Sequence, residues 1–319
     1  MNVLNGSIKI GISACLLGQP VRFNGGHKAS QLCQDVLSHY FDFVPVCPEQ
    51  AIGLTTPRQP IRLVSHPEGP RAVGTVDPNL DVSDALTQVG QHAAENLGGI
   101  CGYILMQKSP SCGMERVKVY QDNGQPSDST GRGLFAAALM RACPDLPVEE
   151  DGRLNDPVLR ENFITRVFVY AEWQNLMNQG LTRQGLIRFH ERYKYLLMAT
   201  ARKQYKQLGQ LVAQCGNTDL HSLAPQYFSQ LMAALKQPAN RGTHTNVLQH
   251  LSGYLKHAIS SDDKRELHEL ILQYRNGIVP LISPLTLLRH HFRHHPDAYI
   301  ARQAYLQPHP DALGLRNAL

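Results

Sequence analysis

Gly102-Tyr103-Ile104-Leu105-Met106, followed after Gln107 by Lys108-Ser109-Pro110-Ser111-Cys112-Gly113, is the stretch on which the reading of this chain turns. The apolar run predicts a buried strand. The Ser, Pro and Gly that follow predict a tight loop at its C-terminal end. In open α/β sheets the C-terminal strand edge is where sites are built. Two other cysteines hold the same position. Cys15 follows Ile8-Lys9-Ile10-Gly11-Ile12-Ser13-Ala14, and Cys47 follows Phe41-Asp42-Phe43-Val44-Pro45-Val46. Three strand ends, each delivering one thiol, organise the rest.

The chain has 319 residues, 42% of them hydrophobic, which predicts two domains and enough apolar surface for a sizeable core. It contains no apolar stretch of transmembrane length, and residues 1–6 lack the basic and apolar regions of a signal peptide. A cytoplasmic location is therefore expected. In that setting the seven cysteines read as metal-binding, catalytic or buried rather than paired in disulfides. Residues 1–160 carry 13 Lys and Arg against 16 Asp and Glu, whereas residues 161–319 carry 18 against 10 and 11 of the 15 histidines. The basic half suits a polyanionic partner, nucleic acid foremost; a bias toward solubility alone is the competing explanation.

Along the first half, strands are expected at 7–14, 41–46, 101–106, 117–120 and 146–150. Helices are expected at 30–39, with Ser30 as N-cap, at 81–96, with Val82, Ala85, Leu86, Val89, Ala93 and Ala94 at helical spacing, and at 134–143. The segment holding Gly53, Pro57, Pro60, Pro67 and Pro70 reads as loop, and residues 122–129 as a polar turn. Strands alternating with helices predict an α/β domain over 1–155 with a parallel sheet. Beyond Asp156-Pro157, a cap followed by an N1 proline, the pattern changes to amphipathic helices and predicts an all-α domain over 156–319. Helices are expected from Pro157 into Trp173, from Thr182 onward, and at 224–236, 242–258, 262–275 and 284–294.

Thiols spaced by 32 and then 65 residues match no compact zinc-ribbon or ferredoxin run, and converge only if their strands are neighbours. If they do, they suit a soft metal or an iron–sulfur cluster, and three ligands on four irons leave one iron open. Zinc with Glu49 or His27 as fourth ligand is the alternative metal reading, and small buried residues the non-metal one. Glu49, two residues past Cys47, is placed to act as general acid or base, or to pair with Arg58 or Arg62. Ser109 and Ser111 read as substrate or sulfur contacts, or as turn residues. Cys33, Cys101, Cys143 and Cys215 read as packing. Gly131-Arg132-Gly133 ahead of a helix is a weak candidate for an anion-binding terminus. In the basic half Arg188, Arg192, Lys194, Arg202, Lys203 and Lys206 interleave with Tyr193, Tyr195 and Tyr205, so base stacking competes with core packing. His290, His291, His294 and His295 give i, i+4 spacing that suits either a metal or a polyanion-binding face.

Ser13-Ala14-Cys15-Leu16-Leu17-Gly18, Val46-Cys47-Pro48-Glu49 and Lys108-Ser109-Pro110-Ser111-Cys112-Gly113 together resemble the DUF523 family of thiouracil desulfurases. Phe189-His190, Lys194-Tyr195-Leu196-Leu197-Met198-Ala199, Pro280-Leu281-Ile282 and Leu315-Arg316-Asn317 resemble the DUF1722 domain. A fusion of the two resembles tRNA 4-thiouridine desulfidases. That resemblance implies a [4Fe-4S] cluster on Cys15, Cys47 and Cys112, with Glu49 assisting water attack and a Ser of the SPSCG loop positioning substrate. It also implies a helical domain that holds tRNA. Sulfur is then exchanged for oxygen without net redox change. Free thiouracil or a thiolated nucleotide is the alternative substrate, and a non-enzymatic nucleic-acid-binding protein with structural zinc or a redox-sensing cluster the alternative class. One departure stands out: where the family commonly runs Val-Ala-Gly-Gly-Leu, this chain has Gln50-Ala51-Ile52-Gly53-Leu54.

Overall fold

The structure, a computed structural model, describes residues 7–121 and 123–317. Residues 1–6, read above for a leader, and Asp122, the first residue of the expected polar turn, lie outside the described residues. So does the side chain of Ala94, named above as an apolar helix position.

The chain divides into two compact units, Met1–Asn155 with Tyr170–Gln174, and Asp156–Val169 with Asn175–Leu319. In the first, the elements run β1 (Ile8–Ser13), β2 (Phe41–Val46), α1 (Pro48–Ala51), β3 (Ile61–Val64), β4 (Arg71–Gly74) and α2 (Ser83–Asn96). They continue through β5 (Tyr103–Leu105), β6 (Val117–Tyr120), β7 (Pro126–Gly131), α3 (Leu134–Ala142) and β8 (Val148–Glu150). One sheet has the order β2-β1-β5-β8 and every pairing in it is parallel. Ile10, Ile12, Ile104 and Leu105 are fully buried in it, as expected of parallel strands covered on both faces. The unit is α/β with a parallel sheet, as the sequence predicts.

A second sheet, ordered β4-β3-β6-β7, corrects two expectations. The segment read as loop contains the antiparallel pair β3 and β4, and the second half of the segment read as a turn belongs to β7, antiparallel to β6. The strands β3 and β4 are four residues each, framed by the prolines that suggested a loop. In β7 the residues Ser127 to Thr130 are too polar to announce a strand, because β7 lies at the sheet edge and is largely exposed. The helix expected at 30–39 is a π-turn over Leu32–Val36 and a 3₁₀ turn over Leu37–His39, which together bury Cys33 and Leu37. Ser30 Oγ accepts from the Cys33 N–H at 3.4 Å.

The second unit is helical, with α4 (Pro157–Asn178), α5 (Arg183–Thr200), α6 (Arg202–Ala213), α7 (Leu220–Leu235), α8 (Arg241–Ser252), α9 (Ser261–Arg275) and α10 (Ile282–His294). Asp156 caps α4 by accepting from Val158 and Leu159, and Thr182 caps α5 by accepting from Gly185. The long segment after Thr182 breaks at Ala201 (φ −148°, ψ 71°), which separates α5 from α6. The helix α7 begins at Leu220, earlier than expected, and carries Pro225 in its second turn; Asp219 supplies the cap. Among the described residues no helix is long and apolar enough to cross a membrane.

Candidate active site

The order β2-β1-β5 makes the three cysteine-bearing strands neighbours, and their parallel direction puts all three C-terminal ends on one edge. Cys15 leaves β1 in a 3₁₀ turn, Ala14–Leu17. Cys47 leaves β2 as the residue before α1. Cys112 comes back to the edge at the end of the loop after β5. All three line one cleft of about 670 Å³, together with Ser13, Glu49, Arg58, Ser109 and, among others, Arg22, Phe23, His27, Lys28 and Lys108. Every lining residue belongs to the first unit. All seven cysteines are free. Cys33, Cys101 and Cys215 are buried, while Cys143 is half-buried just past α3.

Glu49 sits in α1 with both carboxylate oxygens engaged. Arg58 donates to Oε2 from Nε at 2.9 Å and from a terminal nitrogen at 2.6 Å, and Ser111 Oγ donates to Oε1 at 2.8 Å. Arg58 is itself fixed by donating to the carbonyls of Val21 and Thr55. The Arg58 and Glu49 side chains are 6% and 15% exposed, which shields the pair from solvent and salt. The two serines have different roles. Ser111 is fully buried and holds Glu49. Ser109 faces the cleft and accepts from the backbone N–H groups of Ser111 and Cys112, so it shapes the loop while its own proton remains available. The sequence reading gave no role to Ser13, whose Oγ accepts from the Met106 N–H and which acts against the rise of the Cys112 thiol. It stood only as the first residue of a quoted motif, two residues before Cys15.

The loop is fastened to α3. Gly133, Leu134 and Ala136 donate their N–H groups to the carbonyls of Gly113, Pro110 and Ser111. These bonds use the N-terminal donors of α3, so Gly131-Arg132-Gly133 is no free anion site. A Cβ at Gly133 would lie 2.5 Å from the Ser111 carbonyl, and hence glycine is required there. The Gln50-Ala51-Ile52-Gly53-Leu54 departure also has a physical reading. Gly53 has φ +88° and needs to be glycine, whereas Ile52, the position of the missing glycine, has φ −90° and ψ 10°, open to any residue. Ile52 packs against the cluster of Leu63, Ala72 and Leu86.

Burial pushes the Cys15 thiol up to about 11, with Arg22 pulling back and Cys47 adding to the rise. Burial likewise raises Cys47 and, most of all, Cys112, where the Ser13 hydrogen bond pulls back. Alone, the three remain neutral thiols at neutral pH; a bound cationic centre reverses that preference. Among the described residues no three His, Cys, Asp or Glu side chains form a group that could hold a metal ion. The three thiols line one cleft, and Glu49 is committed to Arg58 and Ser111.

In the second unit Arg188 on α5 and Arg202, Lys203 and Lys206 on α6 are exposed. Arg192 and Lys194 are half-buried: Arg192 donates to the Arg302 carbonyl, and the Lys194 ammonium sits over the rings of Tyr195 and Tyr299 at 5.2 and 5.4 Å. Tyr193 and Tyr195 are core residues, and Tyr205 stacks on His190. The rings of His290 and His294 are 4.7 Å apart, and His291 is buried.

Comparison with known proteins agrees with this division. The 2-thiouracil desulfurase family matches residues 10–151, and the DUF1722 family, described as a protein of unknown function, matches residues 194–310. The uncharacterized protein YbgA of Escherichia coli K12 is 35% identical over 159 residues, 50% of this chain and 94% of that protein. The uncharacterized protein YbbK of Bacillus subtilis 168 is 29% identical over 151 residues, 46% of this chain and 97% of that protein. A solved structure of the [4Fe-4S]-dependent thiouracil desulfidase TudS is 32% identical and covers 47% of this chain and 95% of its own, with a TM-score of 0.38. The chain thus belongs to two families, the 2-thiouracil desulfurases through residues 10–151 and the DUF1722 proteins through residues 194–310.

Proposed function

We propose that this chain is a desulfidase that replaces the sulfur of a thiolated uracil base by oxygen, and that its substrate is 4-thiouridine within tRNA. The observation that carries the chemistry is the convergence of three unpaired thiols and a pinned carboxylate on one cleft. The donor set fits a [4Fe-4S] cluster: three unpaired thiols, raised by burial, at the ends of three neighbouring parallel strands around one cavity. Cys15, Cys47 and Cys112 would hold it. When bound, such a cluster supplies a Lewis-acidic iron with an open position for a soft thiocarbonyl sulfur.

The chain's own residues supply the rest. Arg58 and Ser111 fix the Glu49 carboxylate in its rotamer, so a water beside it meets an oriented acceptor rather than a mobile one. Glu49 takes the proton as the water oxygen bonds the ring carbon. The carbon–sulfur bond breaks with its electron pair going to sulfur, and sulfide leaves after protonation. Overall, thiocarbonyl plus water gives carbonyl plus hydrogen sulfide, with no electron donor or acceptor consumed. Ser109, with its proton free and its oxygen facing the cleft, is placed to hold the base. The exposed Arg188, Arg202, Lys203 and Lys206 support the tRNA part of the reading, as a basic surface that grips backbone while a base is presented.

Anaerobic purification with iron and sulfide analysis tests the core of this reading. About four irons and four sulfides per wild-type chain, with loss of both in Cys112→Ala, are expected. Zinc, or no metal after reconstitution, would overturn it. A second reading, a free thiobase or thiolated nucleotide as substrate, is favoured by the confinement of the cleft to the first unit. Sulfide release from 4-thiouridine-containing tRNA and from free thiouracil, compared side by side, separates the two.

A further inference from the structure

Tyr103 lies in β5 opposite Gly11 of β1. Its ring covers that glycine so closely that a Cβ on Gly11 would come within 2.3 Å of it. The ring also meets Phe135, centroid to centroid at 5.7 Å. The side chain is completely buried, and its hydroxyl has no hydrogen-bond partner among the described residues. A buried hydroxyl without a partner is rare in folded proteins, because the group has given up water for nothing. Phenylalanine would fill the same space without that cost. Burial raises this phenol well above its ordinary value, and the charges that would raise it further are those of Cys112, Cys47 and Cys15, in that order. The hydroxyl therefore keeps a proton to donate, and Tyr103 packs in the same buried cluster as Cys112 and Phe135, with Val46 against it.

We propose that the Tyr103 hydroxyl donates a hydrogen bond to a sulfur of the group held by Cys15, Cys47 and Cys112, and so acts as a positioning residue on its buried side. The acceptor is a thiolate or an inorganic sulfide of that group. Hydrogen bonds to such sulfurs draw electron density from them and help set potential and retention. Ser13 lines the cleft on the other side of these sulfurs. This inference rests on the cluster assignment above.

The test compares full-length wild type with Tyr103→Phe, both reconstituted anaerobically. Without cluster, the variant is expected to melt at the same temperature as wild type or higher, because an unpartnered polar group has been removed. With cluster, it is expected to lose iron to a chelator about 2- to 10-fold faster, the worth of one hydrogen bond. Resonance Raman spectra of loaded wild type in D₂O should show iron–sulfur bands shifted from those in H₂O, and this part of the shift should be absent in Tyr103→Phe. Equal release rates and identical isotope responses would assign the hydroxyl to a buried water and overturn the inference while leaving the cluster standing. If neither protein takes up iron and sulfide, the cluster assignment itself fails and this inference with it.

Discussion

Glu49 and Lys203 are both charged side chains for which a role toward substrate is proposed, and the molecule treats them in opposite ways. Both oxygens of Glu49 are bonded, to Arg58 and to Ser111, and the carboxylate is largely shielded from solvent. Lys203 and its neighbours Arg202 and Lys206 stand exposed on α6. The difference suits the roles proposed for the two. Moving a proton requires an acceptor fixed to within a fraction of an ångström, and that requires partners and burial. Gripping a phosphate backbone requires charge delivered anywhere along a surface, and flexible, solvated lysines supply it by releasing counterions.

The largest expected effect lies on the fixed side of this contrast. Glu49→Gln keeps shape and removes the proton acceptor, so sulfide release should fall by about 10²- to 10⁴-fold with iron content unchanged. Turnover within a few-fold of wild type would show that the pinned carboxylate is structural. On the mobile side, reversing Arg188, Arg202, Lys203 and Lys206 together to Glu should weaken tRNA binding. It should also lower the slope of log affinity against log salt by roughly 0.7–0.9 for each phosphate no longer neutralised. Sulfide release from free thiobase should not change; if it did, the two sets of charges would not be separable as described.

A smaller effect sharpens the contrast within the second unit itself. Burial pushes the Glu161 carboxyl up, but the Arg316 guanidinium, 2.7 Å away, and His309 more than reverse this and bring it down to about 2. Because the folded value lies below the ordinary 4.5, the unfolded chain binds this proton first as pH falls. The stabilisation is complete above pH 4.5 and is lost as pH drops through about 2. It should amount to something on the order of 2–3 kcal/mol, so wild type and Glu161→Gln should differ in urea midpoint at pH 7 and converge near pH 2. A constant difference across that window would mean that the pair acts through packing rather than charge.

Much of the first sheet was legible because β1, β2 and β5 are apolar runs ending in loop residues, a pattern that buried parallel strands cannot avoid. Of the second sheet only β6 was. Its strands β3 and β4 are short and framed by prolines, and β7 is polar because one side of it faces water. The three thiols were legible by their shared position at strand ends, and Glu49 by its distance from Cys47. Arg58 was legible only as one possible partner of Glu49, since the chain between them must loop back to bring them together. Ser13 opens one of the motifs that carry the resemblance, but nothing in the sequence assigned it or Tyr103 a role. Their placement depends on which strand pairs with which, and pairing is a property of the sheet. In the helical unit the caps Asp156 and Thr182 announced α4 and α5, but the break at Ala201 did not show, because helix-forming residues lie on both sides of it.

The fastening of the SPSCG loop to α3 also sets an order of assembly. The carbonyls of Pro110, Ser111 and Gly113 are used by the first turn of a helix that ends at Ala142. A nascent chain that has emerged only as far as Gly113 already contains all three thiols, yet it lacks the element that holds the third in place. If the three thiols hold the cofactor as proposed, the third is fixed in place only after α3 has formed. The amides of Gly133, Leu134 and Ala136, slow to exchange only once that helix has docked, record the moment at which the socket is complete.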